Sequence, residues 1–216
     1  MGLSMSENSS QTDRLLQAAA QGDNEKWGAL LTQHRERLRR MVALRMDRRL
    51  QGRIDASDVI QEACLEASVR LAEYLKQPTM PFFLWLRFLT SQKLLELHRH
   101  HLGAKARDAG REVSLHRGAL PGASSADLAA QLMGHLTRPS AAAMRAEMKI
   151  RLQEALNSME PLDREVLALR HFEHLNNAET AQTLGIQESA ASKRYLRALK
   201  KLKEILTSMP GGLGEV

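Results

Sequence analysis

Apolar residues recur at spacings of three and four over much of this chain, the signature of amphipathic helices. Trp27, Leu30, Leu31, His34, Leu38, Met41, Val42 and Arg45 fall in one long helix. Gly52 and the stretch Asp55–Asp58 break and restart the chain, with Asp55 or Ser57 as N-cap of a second helix that runs to about Lys76. Pro78 and Pro81 force a non-helical loop over residues 76–81, and a third helix follows from about Phe82 to His101. The periodicity then fades. Residues 103–140 are rich in Gly, Pro, Ala and Ser and read as a linker, with one short helix near Asp127–Leu136. From Ala141 the pattern returns as a helix to Met159. A second helix opens at Pro161, with Asp163 and Glu165 in its first turn, and ends near Phe172; two more follow. Strand-like alternation is missing throughout. The expected fold is all-α: two small helical domains, residues 13–102 and 141–209, joined by a flexible linker, residues 103–140. Residues 1–12 and 210–216 are expected to be disordered.

Composition sharpens this picture. Hydrophobic residues make up 43% of 216, enough to bury a core in each of two small domains. The net charge of +6 favours an acidic partner such as nucleic acid. The one cysteine, Cys64, excludes an internal disulfide and any cysteine-based zinc cluster. No apolar signal-peptide core and no run of 18 apolar residues occurs, so the expectation is a cytoplasmic protein without membrane insertion.

The strongest chemical signal lies between Asn176 and Lys203. Asn176 and Glu179 form a capping-box pattern, Ala181 is small where two helices must approach, and Leu184-Gly185-Ile186 reads as a tight turn. Gln187 or Glu188 then opens a second helix, to which Leu196, Leu199 and Leu202 give an apolar stripe. This is a helix-turn-helix, the second domain's defining element. Its recognition helix carries Lys193, Arg194, Arg197, Lys200, Lys201 and Lys203 with no acidic interruption. Glu188, Ser189, Ala190, Ser192, Lys193, Arg194 and Arg197 are the candidates for contact with DNA, the early residues at base edges and the later cations at phosphates.

Other signals are more ambiguous. Asp58, Glu62 and Glu66 line one helix face, which suits a basic partner surface or a solubilising face. The aromatics of Phe82–Arg87, followed by Lys93, Arg99 and neighbouring histidines, suit stacking on melted DNA, but most of Phe83, Trp85, Leu86 and Leu89 are expected to be core, with only the loop and the basic face touching DNA. Arg35, Arg37, Arg39, Arg40, Arg45, Arg48 and Arg49, against only Glu36 and Asp47, suit either phosphates or solvent. The adjacent histidines point in different directions around a helix, so no metal site and no cofactor is expected.

Together these parts resemble a known family. Asp55-Ala-Ser-Asp-Val-Ile-Gln-Glu62 resembles the core-polymerase-binding motif of bacterial sigma factors. Phe83-Leu-Trp-Leu-Arg87, after a Pro-containing loop, resembles the start of their promoter-melting helix, and residues 156–186 resemble the domain that reads the minus-thirty-five element. The type is the extracytoplasmic-function (ECF) sigma factor, which keeps only these two domains. The resemblance implies a non-enzymatic initiation subunit whose partners are core RNA polymerase and promoter DNA, often restrained by an anti-sigma factor. It implies that Asp55, Asp58, Val59, Gln61 and Glu62 bind core polymerase. It implies that Gln77, Thr79, Met80, Phe82, Trp85, Arg87, Gln92, Lys93 and Arg99 meet the minus-ten element. The chain departs from the family at residues 92–98, which are less basic and include Glu96, and in its longer linker. A stand-alone helix-turn-helix regulator with an N-terminal oligomerisation domain would explain residues 176–203 but leave the two N-terminal motifs unexplained. An enzyme would need a phosphate loop, a nucleophile elbow or a metal-ligand set, none of which the sequence offers.

Overall fold

A computed structural model describes residues 3–102, 122–135 and 142–208 of the chain. Every regular element among them is helical: α1 (Leu3–Ala20), α2 (Asn24–Arg45), α3 (Ala56–Lys76), α4 (Phe82–Leu102), α5 (Ser125–His135), α6 (Ala142–Asn157), α7 (Pro161–Leu167), a π-helical turn (Ala168–Phe172), α8 (Asn177–Leu184) and α9 (Glu188–Ser208). Contacts divide the chain into two compact units, Met1–Val42 with Met46–Asp108 and Ala43–Arg45 with Ala109–Val216. The all-α class read from the sequence is therefore what forms. Parts of the expected linker, residues 103–121 and 136–140, and the tail 210–216 lie outside the described residues, whereas α5 occupies the place of the expected short helix.

Helix ends follow local chemistry. Asp23 caps α2 by accepting from the backbone N–H groups of Glu25 and Lys26, each at 3.0 Å. Asp55 caps α3, accepting from Ser57 N–H at 2.7 Å, while the Asp58 carboxylate accepts from Asp55 N–H in return. Pro161 stands at the start of α7, where its missing N–H has no partner to lose. At the N-terminus the structure differs from expectation: α1 begins at Leu3, so residues 3–12 are helical where disorder is expected. Apolar residues are sparse there, so periodicity gives no helix signal. Neither Gly nor Pro interrupts the segment, and a helix started farther along can propagate through it.

In the first unit α3 packs against α4. Val59, Ile60, Ala63, Ala67 and Leu71 form the inward stripe of α3, and Leu86, Leu89 and Leu94 are buried on α4. The chain holds two Trp, two Tyr and four Phe. Five of these, Trp27, Tyr74, Phe82, Phe83 and Trp85, gather in one cluster around His34. In the second unit, Leu152, Leu156, Leu167, Phe172, Ala198 and Leu202 share a core that α6, α7 and α9 enclose.

Candidate polymerase and DNA interfaces

Helix α3 carries a second stripe on the face opposite its buried one. Asp58, Glu62, Leu65 and Val69 follow one another at spacings of four, three and four, and all are exposed. Leu65 is 68% and Val69 78% exposed, unusual values for large aliphatic side chains. Asp55 and Gln61 are exposed beside them. The Ser57 N–H hydrogen bond holds the Asp55 carboxyl below its ordinary range, so it stays charged at neutral pH. This makes an acidic end running into an apolar ridge. Val59, however, is completely buried against the core. Its motif position is corrected from contact to packing, because it lies on the inward stripe. Helical periodicity alone does not single out Leu65 and Val69. The available signal is that they fall outside the apolar stripe that Ala63, Ala67 and Leu71 already supply.

The loop between α3 and α4 is held from within. The Tyr74 hydroxyl donates to the Met80 carbonyl at 2.9 Å, and the Tyr74 ring stacks on Trp85 with centroids 4.5 Å apart. Gln77 and Thr79 are exposed on this loop, and Met80 is half-buried. Phe82, Trp85 and Arg87 are 3%, 8% and 5% exposed, so these three expected contacts are corrected to the interior of the unit. The tertiary cluster buries them: Phe82 meets Trp27 and Tyr74 edge-on, and Trp85 lies beneath Tyr74. Farther along α4, Gln92 and Arg99 are exposed. Lys93 is drawn into ion pairs with Glu96 at 3.2 Å and Glu66 at 4.0 Å. Of the α2 arginines, Arg39 and Arg40 pair with Glu36, Arg37 lies over the Phe83 ring at 3.5 Å, and Arg45 is only 2% exposed, so its expected contact with phosphates or solvent is corrected to the interior.

The helix-turn-helix forms as its sequence requires. Asn176 and Glu179 make the reciprocal capping box of α8. Gly185 closes that helix at φ 62°, a left-handed backbone that side-chain-bearing residues adopt only with strain, and Ile186 N–H returns to the Ala181 carbonyl at 3.0 Å. The Asn177 side chain donates to the Glu188 carbonyl at 2.9 Å, tying the first turn of α8 to the first turn of α9. On α9, Glu188, Ser189, Ser192, Lys193 and Arg197 are exposed, while Ala190 and Arg194 are partly buried.

Two expectations for α9 change. Arg194 donates to Asp163 at 2.7 Å and to Glu160 at 2.9 Å, so it binds α9 to the start of α7 and is not free for a base. Arg197 stays largely exposed while approaching the same two carboxylates at 3.4 Å. Leu196 leaves the predicted apolar stripe and is 63% exposed, because the inward face is taken by Ala191, Ala198 and Leu202. Lys193, Lys200, Lys201 and Lys203 make no ion pair among the described residues.

Among the described residues no helix is long and apolar enough to cross a membrane, and no cluster of His, Cys, Asp or Glu could hold a metal ion.

A capping box, a glycine turn and a basic outer face place the second unit among helix-turn-helix proteins. Residues 149–202 match the family described as Sigma-70, region 4. Over 201 residues, 93% of this chain and 86% of the relative, the protein is 27% identical to the ECF RNA polymerase sigma factor SigD of Mycobacterium tuberculosis, and equally to that of Mycobacterium bovis. Among solved structures, CnrH in complex with the cytosolic domain of CnrY shares its fold, with a TM-score of 0.54 and 20% identity over 93% of this chain and 99% of that one. The resemblance read from the sequence is borne out: the chain is similar to ECF-type sigma factors over 93% of its length, and residues 149–202 match region 4.

Proposed function

We propose that this protein is an alternative sigma factor that binds core RNA polymerase, directs it to promoters and helps melt the minus-ten element. One observation carries the reading. Two chemically opposite surfaces occur in the order that the resemblance implies, an acidic and apolar ridge on α3 and an exposed, lysine-rich face on α9. The first suits a basic protein helix and the second suits a phosphate backbone. The exposed loop residues Gln77 and Thr79 suit a nucleotide turned out of a duplex, an event that costs a few kcal/mol and gains from a pre-shaped receptor. On this reading the protein is an initiation subunit and not an enzyme. It acts in the cytoplasm with polymerase, and an anti-sigma protein is the expected restraint.

Transcription of a genomic promoter library by purified core polymerase, with and without the protein, tests the proposal. New start sites sharing two upstream elements at fixed spacing are expected. No new start sites, together with no retention of the protein by core polymerase, would replace it with a stand-alone helix-turn-helix regulator.

A further inference from the structure

Leu196 stands in an unexpected place on α9. Ala198, two residues on and so roughly 200° around the helix, is buried in the core, whereas Leu196 is 63% exposed. It occupies the middle of the outward face. Ser192 and Lys193 lie one turn before it and Lys200 one turn after, all exposed. Neither lysine is held by an ion pair among the described residues. A single exposed leucine on an ordinary surface needs no explanation. Here it interrupts a face otherwise made of hydroxyls and free cations, on the helix whose cations suit DNA.

That mixture matches one surface closely. The DNA major groove is anionic at its rims and offers base-edge donors and acceptors on its floor, and its one apolar feature is the C5 methyl group of thymine. The lysines suit the rims, Ser192 suits a base edge, and Leu196 suits the methyl. We infer that Leu196 is a specificity-determining residue of the recognition helix, reading a thymine methyl in the upstream promoter element. The inference rests on the proposed DNA-binding role of α9 and adds the base that it prefers.

Deoxyuridine lacks only that methyl, so it provides a direct test. In a promoter that the holoenzyme uses, each thymine of the upstream element is replaced singly by deoxyuridine, and binding is measured by competition. At one or two positions the substitution is expected to weaken wild-type binding about four-fold, the effect of burying one methyl-sized group. Leu196→Ala is expected to bind the unmodified promoter about four-fold more weakly, to ignore the deoxyuridine change and to keep its melting curve. No sensitive thymine, or equal sensitivity in Leu196→Ala, overturns the inference. A Lys193→Ala/Lys200→Ala variant separates this failure from a deeper one. If it weakens binding to every sequence while deoxyuridine changes nothing, α9 binds DNA without reading the methyl. If it leaves DNA binding intact, the role of α9 itself fails.

Discussion

Arg194 of the recognition helix donates to the Asp163 carboxylate at 2.7 Å, and Asp163 is almost completely buried at the first turn of α7. The two carboxylates, Asp163 first and Glu160 second, raise the guanidinium above its already high ordinary value, so the arginine stays charged at any working pH. A cation that could face DNA instead fixes the roll of α9, and with it the direction in which Ser192, Lys193 and Leu196 point. Arg194→Ala and Asp163→Ala should therefore have similar effects. Each should lower stability by about 1–2 kcal/mol, a buried-pair loss reduced by the partial exposure of the arginine. Each should also lower promoter-specific initiation more than core binding. The check is a double-mutant cycle on thermal unfolding, in which the combined variant should cost much less than the sum of the single ones. Full additivity, with Asp163→Ala transcribing normally, would return Arg194 to the role of a base reader.

Acid should loosen the first unit through His34. The imidazole is buried between Phe82 and Phe83, and its Nε2 has no hydrogen-bond partner among the described residues. Burial first, and the nearby Arg37 second, lower its pKa from 6.5 to about 4. The folded unit thus resists a proton that the unfolded chain accepts near pH 6.5. Its stability is complete above that pH and declines as pH falls towards 4, by on the order of 2–3 kcal/mol. His98, lowered mainly by burial, adds in the same direction. Asp47, held at about 2 by hydrogen bonds from Arg49, titrates below this window. Both tryptophans, Trp27 and Trp85, lie in this unit, so their fluorescence reports its unfolding. Denaturant midpoints between pH 7 and 4 should fall steeply for the wild type and more gently for His34→Leu; parallel profiles would show that another group carries the dependence.

The ridge on α3 separates binding from folding. Leu65 and Val69 project away from the core, so Leu65→Asp should change the melting temperature little. On the proposed function it should still weaken retention by core polymerase at least ten-fold, since a charge would meet an apolar contact. Glu62→Arg should weaken it too, chiefly through slower association, and more at low salt than at high. A pull-down titration with purified core at two salt concentrations provides the check. Unchanged retention by both variants would identify the ridge as an ordinary solvated face.

Much of the architecture was legible because its determinants are local. Asp55, Asn176, Pro161 and Gly185 act on backbone within a few residues, and each marks an element boundary where the sequence places one. Facing is less local. Leu196, Leu199 and Leu202 look equivalent at a spacing of three, yet each step of three residues falls roughly 60° short of a full turn. Over two steps this carries the stripe from solvent to core, and only the partners of α9 decide which end is buried. Phe82 and Trp85 pose the same problem, because an aromatic beside basic residues suits a base or a core equally. Contact of Phe82 with Trp27, distant in sequence, and of both rings with Tyr74 across the loop settles it. Asp163 suits a helix N-terminus by itself; its pairing with a residue 31 positions later is invisible to any local rule.

The loop before α4 gives a final test, because its shape depends on one hydroxyl. Tyr74→Phe keeps the stacking on Trp85 but removes the hydrogen bond to the Met80 carbonyl. The loss should cost about 1 kcal/mol and lower the melting temperature of the unit by roughly 4–8 °C. On the proposed function, in which this loop receives an unstacked base, the variant should still show a defect at temperatures where it is fully folded. Holoenzyme carrying Tyr74→Phe should engage the promoter's upstream element normally but open the minus-ten region more slowly, with lower permanganate reactivity of its thymines. On a template already mismatched in that region the variant should recover most of the difference, since the duplex no longer has to be opened. Wild-type opening on the intact duplex, despite the expected loss of stability, would mean that Met80 and the loop serve the fold alone and that the melted strand is held elsewhere on the unit.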